Sequence, residues 1–267
     1  MSATWYCCRQ RAGPLVKECR ALRPRFSPED TDADHRAKEE LRRRQNGTFD
    51  RRQVDRLELR LALLGFDGAM HTLTFDEDHL PRDFRGVRNE LQNFFKRVKR
   101  WRVSCDKDPR WRYIYAIEGL HGDRRYHVHL CTDALELSGA EASYLWRAGG
   151  VDTEWVLYPN RRVDLAHNDF NLIDRGGFRR IATYLNKERT DGFVIPIGRH
   201  PWSCSRALTD KLPPPEKWKD TSGEIIVPDD AIWVRRGCEE NDWGAYHYAS
   251  WIEPREKQIE DARAHAR

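Results

Sequence analysis

The sequence predicts an α+β fold: a central antiparallel sheet flanked by helices, with extensions at both ends. Three observations carry this expectation. Phe84, Val87, Leu91, Phe94, Phe95 and Val98 form one apolar stripe at helical spacing. Two β-rich runs, Trp111–Glu118 and Arg125–Thr132, flank a glycine-containing turn as the arms of a hairpin do. The pattern as a whole runs strand, helix, strand, strand, helix, strand, helix, and no internal repeat accompanies it.

Taken in order, residues 1–35 carry Pro14, Pro24, Pro28 and an acidic Glu29-Asp30 patch with little periodicity, so an irregular or partly disordered leader is expected. From Arg36 to about Leu64 the spacing of Val54, Leu57, Leu61 and Leu64 is helical, with Gly65 as a stop. Met70 to Phe75 alternates β-formers and is read as a strand. The helical stripe then covers about Arg82–Trp101, and the hairpin follows. A short helix near Ala140–Trp146, a strand over Val151–Tyr158 and a helix over about Gly177–Lys187 complete the series. Pro213-Pro214-Pro215 is a stiff connector to a Trp-rich region with a charged helical tail. The expected division is therefore 1–66 as leader and helix, 67–210 as the main domain and 211–267 as an accessory region.

Composition narrows the function classes. The chain has 267 residues, 34% charged and 39% hydrophobic, and no run of about 18 apolar residues, which excludes a transmembrane helix. Its start lacks the basic and apolar regions of a secretory signal, so a cytoplasmic protein is expected. The seven cysteines form no regular set, and reduced thiols are expected. Cys7, Cys8, Cys19 and His35 fit no standard zinc spacing. A net charge of +4 permits nucleic-acid binding without demanding it. Local clusters say more: Lys96-Arg97-Val98-Lys99-Arg100 and Arg179-Arg180 are candidates for DNA-backbone contacts, namely Lys96, Arg97, Lys99, Arg100, Arg179 and Arg180. Each cluster also fits an ordinary solvated helix face.

Metal-ligand chemistry concentrates at the hairpin. Side chains alternate along a strand, so His127 and His129 share a face. If Gly122-Asp123 is a two-residue turn, Glu118 stands directly across from His127. Glu118, His127 and His129 are then a candidate three-ligand cluster; a loop one residue longer would slip the register and remove the acid. Taken alone, a His-x-His also describes a polar strand face. Imidazole with carboxylate suits several divalent metals.

Tyr184 and Lys187, three apart on an expected helix, share a face. A phenol is a poor nucleophile at neutral pH, and a nearby ammonium or metal favours its phenolate. The bland reading is a tyrosine packed on the sheet with an exposed lysine.

Over roughly His71 to Arg206 the combination resembles the HUH endonuclease family, specifically rolling-circle replication initiators with a single catalytic tyrosine. His71-Thr-Leu-Thr-Phe75 is similar to the family's first motif, Tyr126-His-Val-His-Leu130 to its metal-binding motif and Tyr184-Leu-Asn-Lys187 to its nucleophile motif. The resemblance implies a ferredoxin-like palm and DNA placement by the first-motif strand, through Thr72 and Thr74. It also implies a Mg²⁺ or Mn²⁺ ion and site-specific nicking and joining of single-stranded or origin DNA through a 5′-phosphotyrosine link. Arg180 and Glu188 stand four residues either side of Tyr184, so a paired-tyrosine mechanism is not expected. No Gly-x-x-x-x-Gly-Lys-Ser/Thr loop occurs, which implies a separate helicase.

Competing readings are a related transposase or relaxase, a non-catalytic single-stranded DNA-binding protein, and an iron oxygenase. The last would use His121-Gly-Asp123 with His167 or His200 as a facial triad, and the two long helical patterns argue against the barrel it needs.

Overall fold

The segment expected to be an irregular leader is a hairpin. In the computed structural model, Trp5–Ala12 (β1) and Leu15–Leu22 (β2) pair in antiparallel register, Cys8 opposite Cys19. Residues 4–46, 49–119, 125–156, 177–187, 202–231 and 233–254 are described. Charged residues on both faces of the hairpin hide its alternation, and its partners are distant in sequence: β1 pairs with Glu216–Asp220 (β8), and β2 with Gly244–Ile252 (β10), which pairs in turn with Trp233–Asn241 (β9). The two ends of the chain thus build one five-stranded antiparallel sheet, ordered β8-β1-β2-β10-β9. The charged tail expected after it lies outside the described residues.

Between those ends sits the expected α+β unit. The helical stretch after the hairpin is two helices, Asp32–Asn46 (α1) and Phe49–Ala62 (α2), followed by a 3₁₀ turn at Gly65–Asp67. Gly68–Thr74 (β3) leads to the long helix Phe84–Ser104 (α3), whose first turn is capped by the Asp83 carboxylate accepting from the Gly86 amide at 2.8 Å. Tyr113–Glu118 (β4), His127–Asp133 (β5), the helix Gly139–Leu145 (α4) and Val151–Trp155 (β6) follow. Ser138 and Glu141 close a capping box at the start of α4. Gly177–Leu185 (α5), Trp202–Cys204 (β7) and the short Arg206–Thr209 (α6) complete it. The second sheet is also five-stranded and antiparallel, ordered β6-β3-β5-β4-β7. Among the described residues no helix is long and apolar enough to cross a membrane. All seven cysteines have free thiols.

Strand alternation divides the core of this second sheet. Leu73, Ile117, Val128 and Leu130 face one way and pack with Val87, Leu91, Phe94 and Val98 of α3. Met70, Ile114, Ala116 and Cys131 face the other way, onto Leu57 and Leu61 of α2 and Phe178, Ala182 and Leu185 of α5. That second cluster also takes in Ala12, Leu15 and Ile252 of the terminal sheet, so α2 lies where the two sheets share a core. Each fully buried leucine contributes about 1.5–3 kcal/mol of transfer free energy.

The β1–β2 turn is seated directly on the end of α2. Gly13 has φ +52, and a methyl group there would collide with the Ala62 carbonyl oxygen. Gly13→Ala is expected to lower unfolding free energy by about 3 kcal/mol through combined strain and overpacking. Urea denaturation checks this, and an unchanged midpoint would show that the turn does not clamp the two sheets together.

Candidate metal and tyrosine site

Glu118 and His127 are directly paired in the β4–β5 register, as the two-residue turn requires; the turn itself lies outside the described residues, as do His121, His167 and His200. The same register sets Ala116 opposite His129, and on the other side of β5 Thr72 opposes His129 and Thr74 opposes His127. Directly paired residues share a face, so Thr72, Thr74, Glu118, His127 and His129 all lie on the α5 side of the sheet.

The three ligand-type side chains converge. Their ligand atoms all lie within 4.8 Å of one another, and the group could hold a metal ion. Nε2 of His127 stands 2.9 Å from one Glu118 oxygen, and Nε2 of His129 stands 3.0 Å from the other. Glu118 is only 2% exposed. Burial by itself would raise its carboxyl, but hydrogen bonds from His127, His129 and Lys187 outweigh burial and hold it far below the usual carboxylate range. His127 moves the other way: its hydrogen bond to Glu118 raises it above the ordinary imidazole value, against burial.

The outer nitrogens of both rings are also engaged. Nδ1 of His127 faces the Arg125 carbonyl at 3.2 Å, and Nδ1 of His129 faces the Thr72 hydroxyl at 3.1 Å. A carbonyl only accepts, so Nδ1 of His127 carries a hydrogen and its Nε2 is the nitrogen left for a ligand bond. Thr72, expected to help place DNA, thus orients an imidazole. The Thr74 hydroxyl donates to the Gly150 carbonyl at 3.1 Å.

Helix α5 brings the phenol to this cluster. The Tyr184 hydroxyl lies 3.1 Å from Nε2 of His129, and the two rings meet nearly edge to face at 5.0 Å between centroids. Lys187, just past the end of α5, sets its ammonium 2.7 Å from Glu118 Oε1 and 3.8 Å from the centre of the Tyr184 ring. Burial would lower the lysine, but its contacts with Glu118 and Tyr184 raise it, so it stays charged. Acid, imidazoles, ammonium and phenol form one contiguous group.

The basic residues expected around this group are placed differently. Lys96, Arg97, Lys99 and Arg100 lie on α3, which covers the opposite face of the sheet. Lys96, Lys99 and Arg100 are exposed there, whereas Arg97 is held by Glu90 and the Leu145 carbonyl. Arg179 is an internal tie: it meets Asp55 at 2.6 Å and buried Glu58 at 3.1 Å, and Lys17 of β2 meets the same two carboxylates at 2.7 Å. Arg180, its neighbour, is exposed. Helical geometry turns adjacent residues about 100° apart, which explains why one arginine of the pair is structural and the other is not. Sequence reading missed Thr72 as a partner of His129 and the carboxylates that claim Arg179; only the strand register and the packing of α5 on α2 reveal them.

Neither the curated proteins nor the solved structures contain a match to this chain. Residues 68–188, the stretch from β3 through Lys187, match the family model of the ORF2-type replication-associated proteins, which is consistent with a rolling-circle replication initiator.

Proposed function

We propose that this protein nicks and rejoins single-stranded DNA at a specific site through Tyr184, and so initiates rolling-circle replication of a plasmid, phage or integrated element. The observation that carries the reading is the Tyr184 hydroxyl lying 3.1 Å from an imidazole of a Glu-His-His group, inside the stretch that matches a replication-associated family.

The donor set fits a divalent cation such as Mg²⁺ or Mn²⁺: one carboxylate and two imidazoles whose remaining nitrogens are already oriented by Thr72 and a backbone carbonyl. Glu118, His127 and His129 would hold the ion, which when bound supplies Lewis-acid polarisation of the scissile phosphate. Lys187 favours the Tyr184 phenolate and balances charge building on the phosphate. The phenolate oxygen attacks phosphorus in line, a phosphotyrosine bond forms at the 5′ side, and the 3′ oxygen departs and is protonated. Because the link keeps the phosphodiester energy, the same residues can rejoin ends. A separate helicase would open the duplex. A transposase or relaxase could share this chemistry, and the family match favours replication.

Incubation of the whole protein with a single-stranded DNA library and Mn²⁺ or Mg²⁺ is expected to give a covalent adduct mapping to Tyr184. Tyr184→Phe and chelator should each reduce it at least ~10³-fold, on the scale of nucleophile removal. Full adduct in Tyr184→Phe would move the nucleophile elsewhere, for instance to Tyr246 or Tyr248, and DNA retardation with no adduct would leave only a binding protein.

In the metal-free protein both nitrogens of His127 face acceptors, so an ion must displace the Nε2 proton. That proton is held more tightly than in a free imidazole, and competition therefore extends above the ordinary value of 6.5. Mn²⁺ affinity is expected to rise with pH, by about tenfold per unit for each proton displaced, until His127 is neutral. Calorimetric titrations between about pH 5.5 and 8.5 test this, with His127→Ala flattening the slope; an affinity independent of pH would count against His127 as a ligand.

A further inference from the structure

The two faces of the terminal sheet differ in how their cations are satisfied. On one face Arg9 meets Glu18, Arg11 meets Glu253, and Arg20 meets both Glu18 and Asp220, all within 2.9 Å. On the other face cations stand over tyrosine rings. Pairing of Tyr6 with Lys219, Cys8 with Lys217 and Cys19 with Tyr248 puts these residues on one side, together with Tyr246 and Arg235. The Arg23 guanidinium lies 4.6 Å and the Lys219 ammonium 5.7 Å from the centre of the Tyr6 ring. Arg235 lies 5.3 Å and Arg51 of α2 5.6 Å from that of Tyr248. Arg23, Lys217, Lys219 and Arg235 have no carboxylate partner among the described residues.

A surface with unneutralised cations and accessible phenol rings is complementary to a chain that alternates phosphate and flat base. We infer that this face binds single-stranded nucleic acid, with phosphates on Arg23, Lys217, Lys219 and Arg235 and bases stacked on Tyr6 and Tyr248. Tyr6 is 40% exposed, and a concavity of about 200 Å³ walled by Arg51, Arg235, Tyr246 and Tyr248 opens beside α2. An exposed cation over a ring is held more weakly than a stacked base, so an arriving base can displace the cation towards its own phosphate. The surface is distinct from the Glu118 cluster and from the basic run of α3. It would hold a strand whether or not Tyr184 is a nucleophile.

The test uses the full chain carrying Tyr184→Phe, so that no covalent chemistry intervenes, and follows the fluorescence anisotropy of labelled oligo-dT and oligo-rU of about 15 nucleotides, the two arms distinguishing DNA from RNA. Lys217→Ala/Lys219→Ala/Arg235→Ala is expected to weaken binding of the preferred strand at least ~10-fold and to make the logarithmic salt slope shallower by about 2. Tyr6→Ala is expected to weaken it about fivefold or more, while Tyr6→Phe, which keeps the ring, stays within about twofold of the parent. These positions are exposed or lie on the sheet surface, and circular dichroism confirms that each variant folds. Binding by the triple variant as tight as the parent's would overturn the proposal, as would equal binding by Tyr6→Ala. Polyglutamate competing as well as either oligonucleotide would also overturn it, and would reassign the face to an acidic protein surface.

Discussion

A carboxylate buried in the middle of a sheet must be compensated by neighbouring positive charge, and much of the arrangement around Glu118 meets that demand. A charge taken out of water costs several kcal/mol when its partners are missing. Here two imidazoles from the adjacent strand and an ammonium from just beyond α5 supply them at 2.7–3.0 Å. The antiparallel register delivers the imidazoles, and the docking of α5 delivers Lys187. The same docking lands Tyr184 on His129, so the electrostatics that make the acid tolerable also assemble the reactive group. A divalent ion would take over the compensating role, which links metal affinity to proton release from His127.

Helix α5 is itself held by charge as well as by apolar packing. Arg179 on α5 and Lys17 on β2 share Asp55 and Glu58 of α2, and Glu58 is almost fully buried. Burial would raise Asp55 and lower Arg179, but in each case the ion pairs prevail, so the network stays ionised. Through it the terminal sheet, α2 and the tyrosine-bearing helix form a connected unit. The N-terminal hairpin therefore helps to place α5, although it contributes no residue to the Glu118 cluster.

Legibility followed the range of the interactions. The α3 stripe, the β4–β5 hairpin and the helix carrying Tyr184 were readable because their periodicity is local, and the acid opposite His127 followed from counting back across one short turn. The N-terminal strands were not readable: Arg9, Glu18 and Arg20 look like loop residues until their mutual ion pairs are seen, and β2 finds its second partner at β10. The basic runs were misjudged for a related reason. Lys96 to Arg100 are visible as a cluster, but which face of the sheet α3 covers depends on the alternation of four strands, and Arg179 was already committed to carboxylates more than a hundred residues away.

By itself the sequence determined the α+β class of the central region, the helical and strand periods, and the set of side chains able to bind a metal beside a phenol, because these depend on residue type and on spacing within one element or one hairpin. Tertiary structure alone decided that the chain ends join in a single sheet, that Thr72 orients His129, and that α5 lies against the Glu118 side while α3 lies on the other. Those outcomes depend on pairings and packing between segments far apart in the chain, where many arrangements satisfy the same local pattern and the burial of charge with its partner selects among them.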